Sequence, residues 1–414
     1  MSGRLALVVA AWLAVAVATG AQDEAVRSGR HRLGPAQVTL RLQLRNAGVD
    51  TNVFQTFVDP VRDEVVVVAL QGDGVLPIGR RLVVSGSGFV EQNYYRRAGD
   101  ESATDFFGQG RAELRLGPLQ LFGGGSGGQF TQRFSIDVDE RLARQEKLGY
   151  AGAVWRLTQR LSLTGQATGE VTTFAPGTFR LGGNVKEAMD RNTLTATGQL
   201  RHALTPRTSL VLSADAFEDR FISQPPDMPR VRRSYRLLGG LEFSKRAVVS
   251  GKLLVGMREF PGTLAQGSPP YRGPIGEVDL TLPLGRVASL RFQGLRDVLY
   301  ASSLVEVGAL RYRNAFIYER LLGEAFLPLS PKGLATVLSA GFEEARYLLP
   351  YPYLSPSRLA ERVDHRFTAG AGLVQRLGER ARIGGHVFWA RRLSSLPYFS
   401  YEGLRYGVSA EVVP

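Results

Sequence analysis

Residues able to carry out catalysis or to hold a metal are few in this chain, and their spacing matches no known site. The four histidines are His31, His202, His365 and His386. None stands in an HExxH zinc motif or beside a paired Ser and acid motif, and the absence of Cys excludes thiol chemistry and Cys-based zinc sites. We therefore predict a protein that is not an enzyme and uses no cofactor or metal; a His-dependent hydrolase is the least favoured alternative.

Two short motifs resemble ligand sites only in part. The run Gly123–Gly128 lacks the Gly-Lys-Ser/Thr that completes a phosphate loop. The Asp and Asn between Gly48 and Asn52 do not have the spacing of a calcium loop. Glycine within a strand instead permits bending, or the close approach of another backbone.

A polar side chain at every second position is the stronger functional signal. Between Leu161 and Thr172, small or aliphatic residues alternate with Ser, Thr, Gln and Glu, which places the polar side chains on one face of a strand. Read in the same phase, the strands predict these pore-lining residues: Arg41, Gln43, Arg45, Arg111, Glu113, Arg115, Gln166, Glu170, Arg236, Glu242, Arg291, Arg382, Arg405 and Glu411. Arg is in excess, which favours an anion-favouring or sugar-tolerant channel. The alternative is a neutralised ladder, in which these side chains only neutralise one another's charges along the lumen wall.

Short basic turns recur eight times along the chain, at intervals of about 40 residues. They lie at 76–80, 116–118, 157–160, 204–207, 244–246, 282–286, 327–333 and 377–380. The connections between successive hairpins are longer and richer in Pro, Asp, Gln and Ser. Tight turns on one side and long loops on the other are typical of a membrane-spanning barrel.

Strands read outward from these turns number about eighteen, from 38–46 to 403–412, with 16–18 as the expected range. Many are long, whereas strands of soluble sandwiches usually have about 5–6 residues. The predicted fold class is all-β: a transmembrane, up-and-down, antiparallel β-barrel with short periplasmic turns and longer extracellular loops. A soluble eight-bladed propeller is the alternative suggested by eight repeats, but each blade needs four short strands.

Aromatic residues gather where the predicted strands meet the long loops. We expect them to form a girdle at the level of the lipid headgroups. They are Tyr94, Tyr95, Phe106, Phe107, Phe130, Phe174, Phe221, Phe260, Tyr300, Tyr347 and Tyr398.

The N-terminus has the pattern of a secretory signal peptide. Arg4 precedes the apolar run Leu5–Val17, and small residues before Gln22 offer a cleavage site. The run is shorter than the ~20 residues of a spanning helix. The predicted organisation is a signal peptide at 1–21, a periplasmic linker at 22–37 and a barrel at 38–414. Such a chain is expected in the outer membrane of a Gram-negative cell.

The formal net charge of +13 comes almost entirely from Arg. These cations are spread through strands and turns rather than collected on a basic helix or a known binding module, so no nucleic-acid partner is expected. A basic rim beside anionic lipid headgroups would be mildly favourable.

Two features carry a family resemblance. The segment from Asn46 to Phe54 reads Asn-Ala-Gly-Val-Asp-Thr-Asn-Val-Phe, and turns of the form Leu-Pro-Leu-Gly-Arg or Leu-Thr-Pro-Arg recur between long strands over nearly the whole mature chain. On these features the chain resembles the outer-membrane β-barrel porin 2 family, which is associated with exopolysaccharide and exosortase systems. The resemblance implies an outer-membrane location, a role connected with polymer secretion, and no defined catalytic residues.

The leading functional hypothesis is a passive, porin-like channel or an export-associated component for exopolysaccharide, because a barrel of this size is wide enough for a water-filled lumen. The alternative is a non-conducting scaffold that binds partners through its loops or its periplasmic rim. Expected partners are outer-membrane lipid, the barrel-assembly machinery, polysaccharide or small hydrophilic solutes, and periplasmic export proteins.

Overall fold

The computed structural model describes residues 31–414 except 134, 137–140, 177–183, 224, 227, 246, 263–268, 286, 308–309 and 354. The predicted signal peptide and most of the predicted linker lie outside the described residues, so that division of the chain stays a prediction. The turn residues Arg246 and Arg286 also lie outside them.

Eighteen long antiparallel strands make up one sheet in the described part of the chain, as the sequence predicts. They are β1 Ala36–Asp50, β2 Asp63–Ile78, β3 Leu82–Tyr95, β4 Ala103–Leu116, β5 Leu119–Gln132, β6 Leu142–Arg156, β7 Leu161–Phe174, β8 Arg191–Thr205, β9 Thr208–Phe221, β10 Val231–Phe243, β11 Ser250–Phe260, β12 Tyr271–Leu284, β13 Ala288–Val307, β14 Leu310–Pro328, β15 Leu334–Tyr347, β16 Val363–Leu377, β17 Ala381–Ser394 and β18 Tyr401–Val412. A short strand, His31–Leu33, folds back on the start of β1.

Pairing of the first strand with the last closes the sheet into a barrel. β1 pairs with β2 on one edge and with β18 on the other, and each remaining strand pairs with its neighbours in sequence. Closure supplies every strand with two hydrogen-bonded neighbours. The propeller alternative is therefore wrong.

A β-bulge shifts the phase of β1 part-way along its length. The pairing of β1 with β2 is displaced between Leu44 and Asn46, and a bulge of this kind inserts one extra residue into one strand of the pair. The ladder then continues to Asp50. The predicted end of this strand at residue 46 is too early, because Asn-Ala-Gly reads as a turn in sequence.

Aliphatic side chains cover the convex face of the barrel. Leu40, Leu163 and Val408 are 43%, 42% and 54% exposed, and their neighbours along each strand are less accessible. A closed sheet that shows a continuous aliphatic surface needs lipid around it. The predicted orientation of these three residues is confirmed.

The eight short turns lie between the strands where the sequence places them. In two of them Gly79 and Gly117 adopt φ values of 62° and 61°. Backbone in this left-handed region favours glycine, which has no Cβ to clash. The turns therefore stay tight at one end of the barrel, which is called the turn side below; the other end is the loop side.

The loop side carries the remaining ordered elements. A short helix, α1, spans Val185–Met189, and a small hairpin pairs Tyr351–Tyr353 with Ser355–Ala360. Among the described residues, no helix has the length and apolar character needed to cross a membrane.

Candidate functional site: the barrel lumen

Ion pairs that skip a strand mark the concave face of the barrel. Arg45 of β1 pairs with Glu91 of β3. Arg258 of β11 pairs with Asp297 of β13 at 2.7 Å. Side chains converge on the inner face of a closed sheet, which brings residues of alternate strands within reach of each other. The polar face of the strands is thus the lumen wall.

The fourteen predicted site residues lie on strands, on the face opposite the exposed aliphatic side chains. Near the turn side the pairs Arg111–Glu113 and Arg382–Glu411 are each 2.7 Å apart. Arg115 is exposed at the end of its strand. Whether these residues line a conducting pore stays a prediction.

The other members of the predicted set also have polar partners. Arg41 pairs with Asp73, Arg45 with Glu91, Glu242 with Arg201, Arg236 with Asp215 at 2.8 Å, Arg291 with Asp279 at 2.8 Å and Arg405 with Asp50 at 2.7 Å. Gln43 donates to Glu411 at 2.6 Å, Gln166 donates to Thr168 at 2.9 Å, and Glu170 accepts from Thr172 at 3.1 Å. This pairing of opposite charges favours the neutralised-ladder alternative over a strongly cationic wall.

Sequence reading missed much of this ladder. The partners Asp50, Asp73 and Asp279 lie in segments where Gly, Pro or a bulge interrupts the alternation. The signal that could have found them is register: once a tight turn is placed, the residues facing each other across the hairpin follow from counting.

Buried arginines dominate the loop half of the lumen. Arg362 and Arg392 share the carboxylate of Asp364, at 2.9 and 2.7 Å, and all three residues are at most 1% exposed. The Arg362 guanidinium also lies 3.6 Å from the ring centroid of Phe399, a favourable cation–π geometry. Because both buried guanidinium groups contact the Asp364 carboxylate, this cluster is sensitive to the loss of that charge.

Helix α1 lies inside the barrel and contacts two separate parts of its wall. Val185, Ala188 and Met189 are buried in one cluster with Phe174 of β7, and Tyr300 and Leu304 of β13 pack against the same cluster. Five strands separate β7 from β13 in the ring. α1 therefore lies in the lumen rather than in solvent.

A second connection reaches the opposite wall. Ile136, which follows β5, is buried in a cluster with Phe316 of β14 and Leu396. β5 and β14 are nine strands apart in a ring of eighteen, which is directly opposite. Arg133 of the same connection donates to the carbonyl of Val53 at 2.7 Å. In the loop half of the lumen, α1 and Ile136 thus pack against strands far from their own, while the turn half keeps its polar wall.

The prediction of an interfacial aromatic girdle is wrong for most of its members. Tyr94 and Phe106 are about half exposed on the outer face, at 55% and 48%. The buried members are Tyr95, Phe130, Phe174, Phe221, Phe260 and Tyr347. Phe174 and Tyr347 lie in clusters with α1 and Ile136, whereas Phe221 and Phe260 pack against Tyr300 of β13, and Arg144 lies over the Phe130 ring. These contacts inside the barrel account for the burial of the rings.

The histidines are dispersed in the structure. His31 contacts the Pro414 carbonyl at 2.8 Å, His365 pairs with Glu344 at 3.1 Å, and His386 lies 3.0 Å from the Asn46 amide oxygen. His202 is exposed. Within the described residues no three His, Asp or Glu side chains meet as a metal site would. In the glycine run, Ser126 is in the middle of β5, whereas the nucleophile of an α/β-hydrolase sits on a strand-to-helix turn.

The segment that carries the family resemblance stabilises the seam between β1 and β18. The Asn52 amide donates to the Glu402 carbonyl of β18 at 2.9 Å, while the Asn46 amide donates to the Val65 carbonyl of the other neighbour, β2, at 2.9 Å. Gly48 lies against the backbone of Tyr406. These residues therefore help to close the barrel, which is a structural role rather than a role in transport.

Comparisons with known proteins give structural likeness only. A scan of protein-family models found no match to this chain, and a search of curated proteins found none. The porin 2 assignment therefore stays a prediction.

Among solved structures, the chain is similar to the outer membrane protein OpdK from Pseudomonas aeruginosa, with 12% identity, coverage of 91% of this chain and 99% of that chain, and a TM-score of 0.48. It is also similar to the siderophore receptor PirA from Pseudomonas aeruginosa, with 9% identity, coverage of 91% and 80%, and a TM-score of 0.45. A bacterial polysaccharide outer membrane secretin matches with 11% identity, coverage of 91% and 98%, and a TM-score of 0.33. No activity of these proteins is carried over to this chain.

The closed eighteen-strand barrel and its aliphatic outer face support a location in an outer membrane. The polar inner face gives the molecule a porin-like architecture.

Proposed function

We propose that the protein is a narrow, passive outer-membrane channel for small hydrophilic solutes, with no catalytic role. The supporting observation is the contrast between the two halves of the lumen. α1 and Ile136 pack against distant walls in the loop half, whereas paired charges cover the wall of the turn half.

The paired wall sets the expected selectivity. Arg–carboxylate pairs such as Arg382–Glu411 offer both hydrogen-bond donors and acceptors, which suits hydroxyl-rich solutes. Because the charges nearly cancel, the channel should discriminate only weakly between cations and anions.

Planar-bilayer recording of the refolded full chain tests this function. We expect a small stable conductance and a reversal potential near zero in a salt gradient. The double variant Val185→Asp/Met189→Asp places two carboxylates in an apolar cluster, which should drive α1 out of the lumen and raise the conductance several-fold. The control is Lys186→Gln, since this side chain is 43% exposed. Absence of current from both the wild type and the double variant would favour the scaffold alternative.

Export of a polysaccharide, the role implied by the resemblance, is a second candidate. The ladder of donors and acceptors along the wall favours it, and passage of a polymer requires α1 to leave the lumen. Swelling of proteoliposomes in oligosaccharides of increasing length separates the two candidates. A small-solute channel admits the shortest sugars already as wild type, whereas an export pore admits no sugar as wild type and admits both short and long chains only when the double variant displaces α1.

A further inference from the structure

A groove on the outer wall of the barrel has no role in the proposed channel function. It has a volume of about 560 Å³ and lies across β8 to β12, within the range of about 300–1,000 Å³ that is usual for ligand sites. Its floor consists of Ala196, Ala214 and Ala216, and its sides include Tyr235, Leu237 and Met257.

The cross-strand register shows that these residues form one surface. Ala196 lies opposite Ala216, Ala216 opposite Tyr235, and Leu237 opposite both Ala214 and Met257. Tyr235, Leu237 and Met257 are 49%, 52% and 47% exposed, so the groove opens onto the convex, lipid-facing side. Alanine at such positions gives up the dispersion contacts that a larger side chain would make with lipid. An acyl chain lying in the groove restores those contacts.

Charged residues stand at the loop-side end of the same groove. Glu218 follows Ala216 by two positions and Arg220 by four, so all three share the outer face. Arg233 lies 3.1 Å and Arg220 3.6 Å from the Glu218 carboxylate, and the two arginines are 64% and 65% exposed. Glu259 and Arg272 also line the groove. Three arginines therefore stand against two carboxylates, which leaves a net positive charge at the mouth of the groove.

We propose that this groove binds a phosphorylated glycolipid of the outer leaflet. One acyl chain lies over Ala214 and Ala216 between Tyr235 and Met257, and a phosphate binds Arg220 and Arg233 through charge-assisted hydrogen bonds. The position of the arginines decides the leaflet, because the long loops of a bacterial barrel face the cell exterior.

Native mass spectrometry of the full chain in detergent, incubated with hexa-acylated, bis-phosphorylated lipid A, tests the proposal. The wild type should retain one lipid. Ala214→Leu/Ala216→Leu fills the groove with side chains that lipid-facing positions accept, and Arg220→Gln/Arg233→Gln removes the phosphate contacts. Each should weaken retention about ten-fold or more, a change of about 1.4 kcal/mol per factor of ten.

The matched controls are Ala112→Leu, an exposed position on β4, and Arg391→Gln, a loop-side arginine near Glu402 on the outer face. Both should retain lipid as the wild type does, and heat-dependent gel migration verifies that every variant is folded. Wild-type retention by the groove-filling variant would overturn the proposal. Equal retention of dipalmitoyl phosphatidylglycerol by the wild type would overturn the assignment to a glycolipid.

Discussion

At the scale of single residues, the two faces of a strand should respond oppositely to charge. Leu163 and Val171 are 42% and 38% exposed on the convex face, and Gln166 lies on the same strand facing the lumen. Arg at a lipid-facing position costs about 2–4 kcal/mol at the midplane and about 0–1 kcal/mol near the interfaces, and both positions lie between these depths, near the ends of β7. We expect the double variant Leu163→Arg/Val171→Arg to lower the folded fraction in lipid vesicles and Gln166→Arg to be tolerated, as read from folded and unfolded bands after refolding. Equal tolerance at all three positions would contradict the assigned orientation.

A second residue-scale prediction concerns the cluster of Arg362, Asp364 and Arg392. Asp364→Asn leaves two buried guanidinium groups without their shared counter-charge, which typically costs about 3–5 kcal/mol. Glu64→Gln is the control, because the Glu64–Arg96 pair is 60% and 65% exposed and such pairs contribute at most about 1 kcal/mol. Urea unfolding in vesicles measures both; a similar small loss in the two variants would show that the cluster does not stabilise the loop side.

At the scale of elements, closure of the barrel depends on one close approach between β1 and β18. A Cβ built on Gly48 would lie 1.9 Å from the Tyr406 carbonyl oxygen, whereas one built on Gly108 meets nothing within 4 Å. Gly48→Ala should therefore prevent or greatly slow closure, and Gly108→Ala should fold as the wild type does. Heat-modifiable gel migration and protease resistance distinguish the outcomes. Normal folding of Gly48→Ala would mean that the seam can shift to accommodate a methyl group.

The strands could be predicted from sequence because each one carries its own evidence, in the alternation of polar and apolar residues and in the turn beside it. The inward connections could not. α1 has only five residues, and its position depends on contacts with Tyr300 and Leu304, which are more than a hundred residues away in sequence. The aromatic girdle failed for a related reason: alternation shows that Phe221 and Phe260 share a face with polar neighbours, but not that Tyr300 of a distant strand packs against both rings.

At the scale of the whole molecule, the positive charge is distributed unevenly between the two ends of the barrel. The segments 79–81, 115–118, 156–160, 204–207, 244–249, 285–287, 329–333 and 376–380 together contain twelve Lys or Arg residues and one carboxylate, Glu379. Loop-side arginines such as Arg96 and Arg346 instead pair with glutamates. The turn side is therefore a basic rim that faces the inner-leaflet headgroups, where each cation contributes about 1 kcal/mol of attraction to an anionic surface.

This asymmetry predicts a dependence of insertion on lipid charge. The refolded chain should enter phosphatidylglycerol-containing vesicles faster than phosphatidylcholine vesicles, and the difference should vanish near 1 M salt, where the screening length falls to about 3 Å. Arg80→Gln/Arg81→Gln removes two exposed turn-side cations and should reduce the difference. Arg62→Gln/Arg97→Gln removes two exposed cations from the loop side. This variant should leave the difference in insertion rate between the two kinds of vesicle unchanged, since the loop-side cations cross the bilayer or remain away from the inner leaflet. An equal effect of the two double variants would show that total charge, rather than its placement on the turns, governs insertion.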